Sequence, residues 1–179
     1  IAMASSLDSP GPMTKTTEDS ALVLQVLAGK DELDATTSTE EAPNYLKNIK
    51  KGIKGLKIGV PKEYFVPEMK KEVSQRVKEA IEVLRKLGAK IKEISLLDPK
   101  YSVAVYTILQ RSEVSSNLAR YDGIRYGNKR NFFGEEAKRR IMLGTYTLSA
   151  GYYEAYYKKA QQVRTLICRD FEKAFKNVN

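Results

Sequence analysis

Apolar positions follow three different rhythms along the chain. From Ala21 to Ala28 they are nearly continuous (Ala21, Leu22, Val23, Leu24, Val26, Leu27, Ala28), which predicts a helix buried on all sides. Thr16 or Thr17 supplies its N-cap, Glu18 and Asp19 oppose the helix dipole in the first turn, and Gly29 follows as the C′ residue. Ser9-Pro10-Gly11-Pro12 ahead of it forms a turn, and the polar stretch from Lys30 to Pro43 reads as a surface loop.

The second rhythm marks a strand–helix–strand unit. Leu56 to Val60 is a short strand that Pro61 stops. Pro67 opens a helix whose Val73, Val77, Ala80, Ile81, Leu84 and Leu87 recur every three or four residues, and Gly88 caps it. Ala89 to Leu96 then alternates as a second strand. A helix connecting two strands within about forty residues predicts a βαβ unit with parallel strands. Gly59 is followed by Val-Pro-Lys-Glu, so its glycines make no dinucleotide-binding fingerprint, and the unit reads as scaffold.

From Tyr101 onward the rhythm is helical: Tyr101 to Leu118, Gly134 to about Ser149, and Tyr152 to Phe175, the last with Val163, Leu166, Ile167, Phe171 and Phe175 along its apolar side. The fold class these patterns predict is α/β, with a helical C-terminal half. The chain reads as one partial domain over residues 1–179, divided into 1–43, a βαβ unit over 44–100 and a helical part over 101–179.

Composition changes the picture by exclusion. The 179 residues contain no histidine and one cysteine, which removes Ser-His-Asp and Cys-His catalysis, histidine-ligated metals and multi-cysteine zinc sites. No apolar run is long enough to cross a bilayer. The net charge of +9 is uneven: residues 1–50 carry −4 and the remainder +13. That surplus suits a partner bearing phosphates, or simply a lysine-rich solvated surface. The chain opens on Ile1 with neither an initiator methionine nor a polar leader, so a fragment of a longer protein is expected.

Chemistry concentrates in few places. Tyr121 to Gly127 places Asp122, Arg125 and Tyr126 in a stretch with two glycines, a set suited to a zwitterionic or amide-bearing ligand or, equally, a well-capped turn. Tyr152, Tyr153, Tyr156 and Tyr157 form two phenol ridges beside Lys158 and Lys159, able to stack on RNA or to pack a helix seam. Arg164 lies between Val163 and Leu166, where it either snorkels or meets a carboxylate such as Asp122 or Glu113. Cys168 on the same helix reads as a buried, inert thiol. Ser5 and Ser6 sit in no Gly-x-Ser-x-Gly or Ser-x-x-Lys context. These residues alone describe a scaffold and name no reaction.

Ala4-Ser5-Ser6-Leu7-Asp8-Ser9-Pro10-Gly11-Pro12, continuing to Asp19, resembles the downstream part of the amidase signature family. Three more segments narrow the resemblance, which spans essentially the whole chain: Tyr121 to Gly127, Lys138 to Tyr146, and Ser149 to Tyr157 continuing through Val163-Arg164-Thr165-Leu166-Ile167. Within the family these are similar to the glutamine-hydrolysing subunits of tRNA-dependent amidotransferases.

The resemblance implies an amidase-signature-like mixed sheet flanked by helices, present only in part. It implies a glutaminase that uses a serine nucleophile, a second serine in a cis peptide and a lysine base, with ammonia passed on to the B subunit of the complex. The B subunit, with ATP and magnesium, converts Glu-tRNA(Gln) to Gln-tRNA(Gln), and a small C subunit wraps the pair. No cofactor is implied for this chain, and no membrane; the implied compartment is the cytoplasm, or an organelle in a eukaryote. The family's lysine and both serines match no residue here, and Ser5 and Ser6 do not stand at those positions, so no catalytic residue is expected in this chain. Two substrate-binding positions carry over by resemblance: Tyr126 to the tyrosine lining the glutamine pocket, and Arg164 to the arginine pairing with the substrate α-carboxylate. The connection from Gly127 to Phe133 is shorter than the family's. The alternatives are another amidase-signature hydrolase of small amides, or a non-catalytic module that binds tRNA or a partner through the basic half. Exposed strand edges and helix faces in such a fragment predict self-association.

Overall fold

In a computed structural model that describes residues 2–179, β1 (Lys57–Pro61) and β2 (Lys90–Ile94) pair in parallel, with Ile58 opposite Ile91 and Pro61 opposite Ile94. The expected βαβ unit is therefore present, and among the described residues the sheet is this parallel pair. β2 ends earlier than its alternation predicts, because Glu63 takes the next donors. Its carboxylate accepts from the Ser95 hydroxyl and from the Leu96 N–H at 3.0 Å, and these bonds, the Ser95 one first, hold its pKa below the ordinary carboxylate range.

The intervening helix α2 spans Lys71–Lys86 and starts later than Pro67 predicts. Val66 to Lys70 instead turn, with the Met69 N–H donating to the Val66 carbonyl at 3.1 Å. Val73, Val77 and Val83 remain substantially exposed on this helix, and a hollow of about 490 Å³ separates its apolar stripe from β1, lined by Ile58, Val60, Phe65, Met69, Val77 and Ile81.

The helical half contains α3 (Pro99–Leu118), α4 (Glu135–Leu148) and α5 (Lys159–Phe175). Asp98 caps α3 by accepting from the Lys100 N–H at 2.9 Å, and that bond lowers the Asp98 pKa. The third predicted helix is interrupted: Glu154–Lys158 form a π turn, in which the Lys158 N–H reaches back five residues to the Tyr153 carbonyl at 2.9 Å.

α3 is the centre of this half. Its Val105 and Leu109, together with Ala160 of α5, form the buried core, against which Leu7, Ile108, Tyr157, Val163 and Ile167 pack. On its other side α3 meets α4 so closely that a Cβ on Gly144 would strike the Arg111 carbonyl oxygen. The hydroxyls of Ser112 and Thr147 hydrogen-bond across this seam at 2.7 Å, as do those of Ser115 and Thr145.

Two expectations for apolar positions are corrected. Of the predicted apolar side of α5, Leu166, Phe171 and Phe175 are exposed, and only Val163 and Ile167 reach the core. Cys168 is exposed rather than buried, since one step beyond Ile167 turns about 100° around the helix.

The chain divides into two units, Ile1–Asp8 with Gly55–Asn179, and Ser9–Lys54, a partition by contact that differs from the linear division at Pro43 and Lys100. The second unit contains α1 (Thr17–Leu27), capped by Thr16, whose hydroxyl accepts from the Asp19 N–H at 3.0 Å. Only Ala21 is buried on α1, while Leu22, Val23, Val26 and Leu27 are exposed, so the fully buried helix is not what forms. One helix and the short 3-10 turn at Tyr45–Asn48 cannot cover an apolar surface that runs all round.

Candidate substrate-binding site

The segment Met3 to Asp8 is a tight turn built on its own aspartate. The Asp8 carboxylate accepts from the backbone N–H groups of Met3 at 2.8 Å and Ala4 at 3.1 Å, and the Leu7 and Asp8 N–H groups return to the Ala4 carbonyl. Ala4 is fully buried and Leu7 is packed against the core. The turn thereby holds Ser5 and Ser6 against one face of α3.

That face carries Glu113 and Asn117, four residues apart and so one above the other. Asn117 donates from Nδ2 to the Ser5 hydroxyl at 3.0 Å and to the Met3 carbonyl at 3.3 Å. Glu113 accepts from the Ser6 N–H at 2.9 Å and from the Ser6 hydroxyl. From α5, Arg164 donates from Nη1 to the same Ser6 hydroxyl at 2.8 Å. A polar hollow of about 320 Å³ opens here, lined by Ser5, Ser6, Ser112, Glu113, Ser116 and Asn117 and closed on one side by Leu148 and Tyr157.

Arg164 is half-buried, beside Val163 and three residues from Ile167. It makes no direct ion pair with Glu113 or Asp122, and among the described residues no carboxylate lies within 4.0 Å of its guanidinium nitrogens. Its hydrogen-bond partner is the neutral Ser6 hydroxyl. A fork of five N–H donors that is largely uncommitted and partly desolvated is suited to a carboxylate.

Tyr126 stands elsewhere. The Tyr121 hydroxyl donates to the Asn128 carbonyl at 2.6 Å and Asp122 accepts from the Ile124 N–H at 2.8 Å, which folds the loop back on itself. Gly123 has φ of +66°, and a Cβ there would strike the Asn128 carbonyl oxygen, so the turn requires glycine. Asp122 is thus consumed as a loop cap. Tyr126 is 86% exposed and lines an open hollow of about 860 Å³ with Arg120, Arg125 and Phe133. The two hollows flank the last turn of α3, where the Asn117 side chain also accepts from Arg120 at 3.1 Å. Arg164 is not among the residues lining the hollow beside Tyr126.

The phenols pack a helix seam. Tyr146 of α4 lies 4.1 Å from Tyr152 and 6.2 Å from Tyr156 between ring centroids, and Tyr153 lies 5.3 Å from Tyr157. Hydrogen bonding to Tyr152, then partial burial, pushes the Tyr146 pKa up to about 12. The basic run of α4 is met by its own first turn: Lys138 pairs with Glu135 at 3.2 Å, and Arg139 and Arg140 pair with Glu136 at 2.9 and 2.8 Å. The described residues gather no three metal-ligating side chains, and no helix among them is long and apolar enough to cross a membrane.

Residues 1–179 match the Amidase family throughout, and the chain belongs to that family. Its relatives point further. It is 53% identical over 193 residues to the A subunit of the glutamyl-tRNA(Gln) amidotransferase of Thermodesulfovibrio yellowstonii, covering 100% of this chain and 40% of that protein. It is 55% identical over 190 residues to the same subunit from a Geobacillus species, covering 98% and 39%. The crystal structure of that subunit from Thermotoga maritima superposes with a TM-score of 0.77 at 42% identity, over 99% of this chain and 37% of the other. The chain spans about two fifths of the length of the relatives it matches.

Proposed function

We propose that this chain is the substrate-carboxylate half of the glutamine pocket in the glutaminase subunit of a tRNA-dependent amidotransferase. Arg164 receives the α-carboxylate of glutamine, and Tyr126 lines the approach to the pocket. The carrying observation is the state of Arg164: half-buried, hydrogen-bonded to one neutral hydroxyl, and with no carboxylate within 4.0 Å of its guanidinium nitrogens among the described residues. A partly buried guanidinium with no direct carboxylate contact among the described residues is suited to take one from a ligand.

The serine nucleophile, the second serine and the lysine base of this family match no residue here, and the residues of this chain take binding roles. Ser5 and Ser6 are engaged with Asn117, Glu113 and Arg164 and serve binding. In the whole enzyme, ammonia freed from glutamine passes to the B subunit, which uses ATP and magnesium to amidate Glu-tRNA(Gln), and the C subunit completes a cytoplasmic heterotrimer. The support for this reading is the 53% and 55% identity to amidotransferase subunits.

The test is steady-state glutaminase kinetics of the full-length protein in its complex. Arg164→Ala should raise the KM for glutamine by about 100-fold, the loss of one charge-assisted carboxylate contact, and Tyr126→Phe by only a few-fold. An unchanged KM in Arg164→Ala would overturn the assignment.

A further inference from the structure

We propose that Glu113 is the positioning residue for Arg164 and acts through the hydroxyl of Ser6. The inference rests on the reading of Arg164 as the carboxylate receptor and adds what holds it in place.

The order of donors is forced by the chemistry of the three groups. A serine hydroxyl has one proton and two lone pairs. Glu113, as a carboxylate, only accepts, and it takes the Ser6 proton on Oε1 while Oε2 accepts from the Ser6 N–H at 2.9 Å. With its proton committed, Ser6 can meet Arg164 only as an acceptor, and the Arg164 Nη1 donates to it at 2.8 Å. The polarity therefore runs from Arg164 to Ser6 to Glu113. It needs both oxygens of Glu113 as acceptors. An amide in their place would turn an NH₂ group toward one of the two Ser6 donors, breaking a bond or reversing the hydroxyl.

The serine spacer has a further effect. A direct Glu113–Arg164 pair would occupy the guanidinium fork with a protein carboxylate, in competition with the carboxylate of the substrate. One hydroxyl placed between them orients the arginine and lets the negative charge be felt at a distance, while the remaining N–H donors stay available. Because Ser6 belongs to the turn anchored by Leu7 in the core and by Asn117 at Ser5, the device ties three separate segments to one donor geometry.

The experiment uses the full-length protein in its complex, with two ligands: L-glutamine as substrate, and gamma-aminobutyramide, its analogue without the α-carboxylate, as a competitor. Glu113→Gln should raise the KM for glutamine about 10-fold, leave kcat within about two-fold, and leave the competitor's inhibition constant unchanged. Glu113→Asp, which keeps both acceptor oxygens, should recover most of the loss. Ser6→Ala should show the same split and serves if Glu113→Gln fails to fold. A Glu113→Gln enzyme with normal KM for glutamine, or one that loses glutamine and competitor equally, overturns the inference. Arg164→Ala, assayed alongside, separates the two ideas. If it leaves the KM for glutamine unchanged, the carboxylate receptor itself is wrong; if it raises KM while Glu113→Gln does not, only the relay is wrong.

Discussion

Where α3 meets α4, the backbones approach so closely that one added methyl group at Gly144 would collide with the Arg111 carbonyl; where α2 faces β1, a hollow of about 490 Å³ remains. Both surfaces are helical stripes with three- and four-residue spacing. The difference lies in the side chains. The α3–α4 seam is made of glycine and short hydroxyl residues that pair across it, which lets two helices close completely. The α2 stripe is rich in valines and set against a two-stranded sheet, and two strands present too little surface to cover it. Closure here depends on the size of the residues at the contact more than on how apolar they are.

The largest effect should come from breaking the close seam. Gly144→Val forces a branched side chain into the Arg111 backbone and should cost more than about 3 kcal/mol or abolish cooperative unfolding in urea. Near α5, Leu109 is completely buried, and Leu109→Ala should cost about 3 kcal/mol in the same measurement. Its counterpart on the open flank, Val83→Ala, should change stability by less than about 0.5 kcal/mol; equal costs at the two positions would erase the contrast.

A fourth change should have the opposite sign. The Gln110 amide nitrogen on α3 is buried with no partner among the described residues, so Gln110→Leu should stabilise by about 1 kcal/mol. The smallest effect is confined to alkaline pH. Tyr146 keeps its proton up to about 12 against an ordinary 10, so the folded state binds that proton more tightly than the unfolded chain does. Its contribution is whole below pH 10 and is lost as pH rises through about 12. Tyr152→Phe removes the hydrogen bond that is the main cause, and phenolate absorbance should then show Tyr146 titrating nearer 10.

Periodicity made the scaffold legible. The alternation of Ala89 to Leu96 and the spacing from Val73 to Leu87 predict the parallel βαβ unit that forms. Boundaries were less legible where a side chain from elsewhere decides them, as Glu63 does when it draws off the donors at the end of β2. Burial was least legible. The run from Ala21 to Ala28 says that the helix is apolar, not that anything near it in the chain is large enough to cover it. At the site, Arg164 stood out by its apolar neighbours and by resemblance. Glu113 was legible only as a salt-bridge partner for it, because a relay through Ser6 joins residues 107 and 158 positions apart, a separation no local pattern encodes. The one local sign was the four-residue spacing of Glu113 and Asn117 on α3.

The π turn at Glu154–Lys158 sets the phase of everything after it. One extra residue per turn rotates the following helix by about 100° relative to an uninterrupted one. Tyr152 and Tyr156 can therefore face α4 while Ala160, Val163 and Arg164 turn to α3 and to Ser6. In an unbroken helix the same sequence could satisfy one neighbour or the other. The wide turn works like a gear tooth out of step, and removing a single residue from it would swing the Arg164 guanidinium away from Ser6.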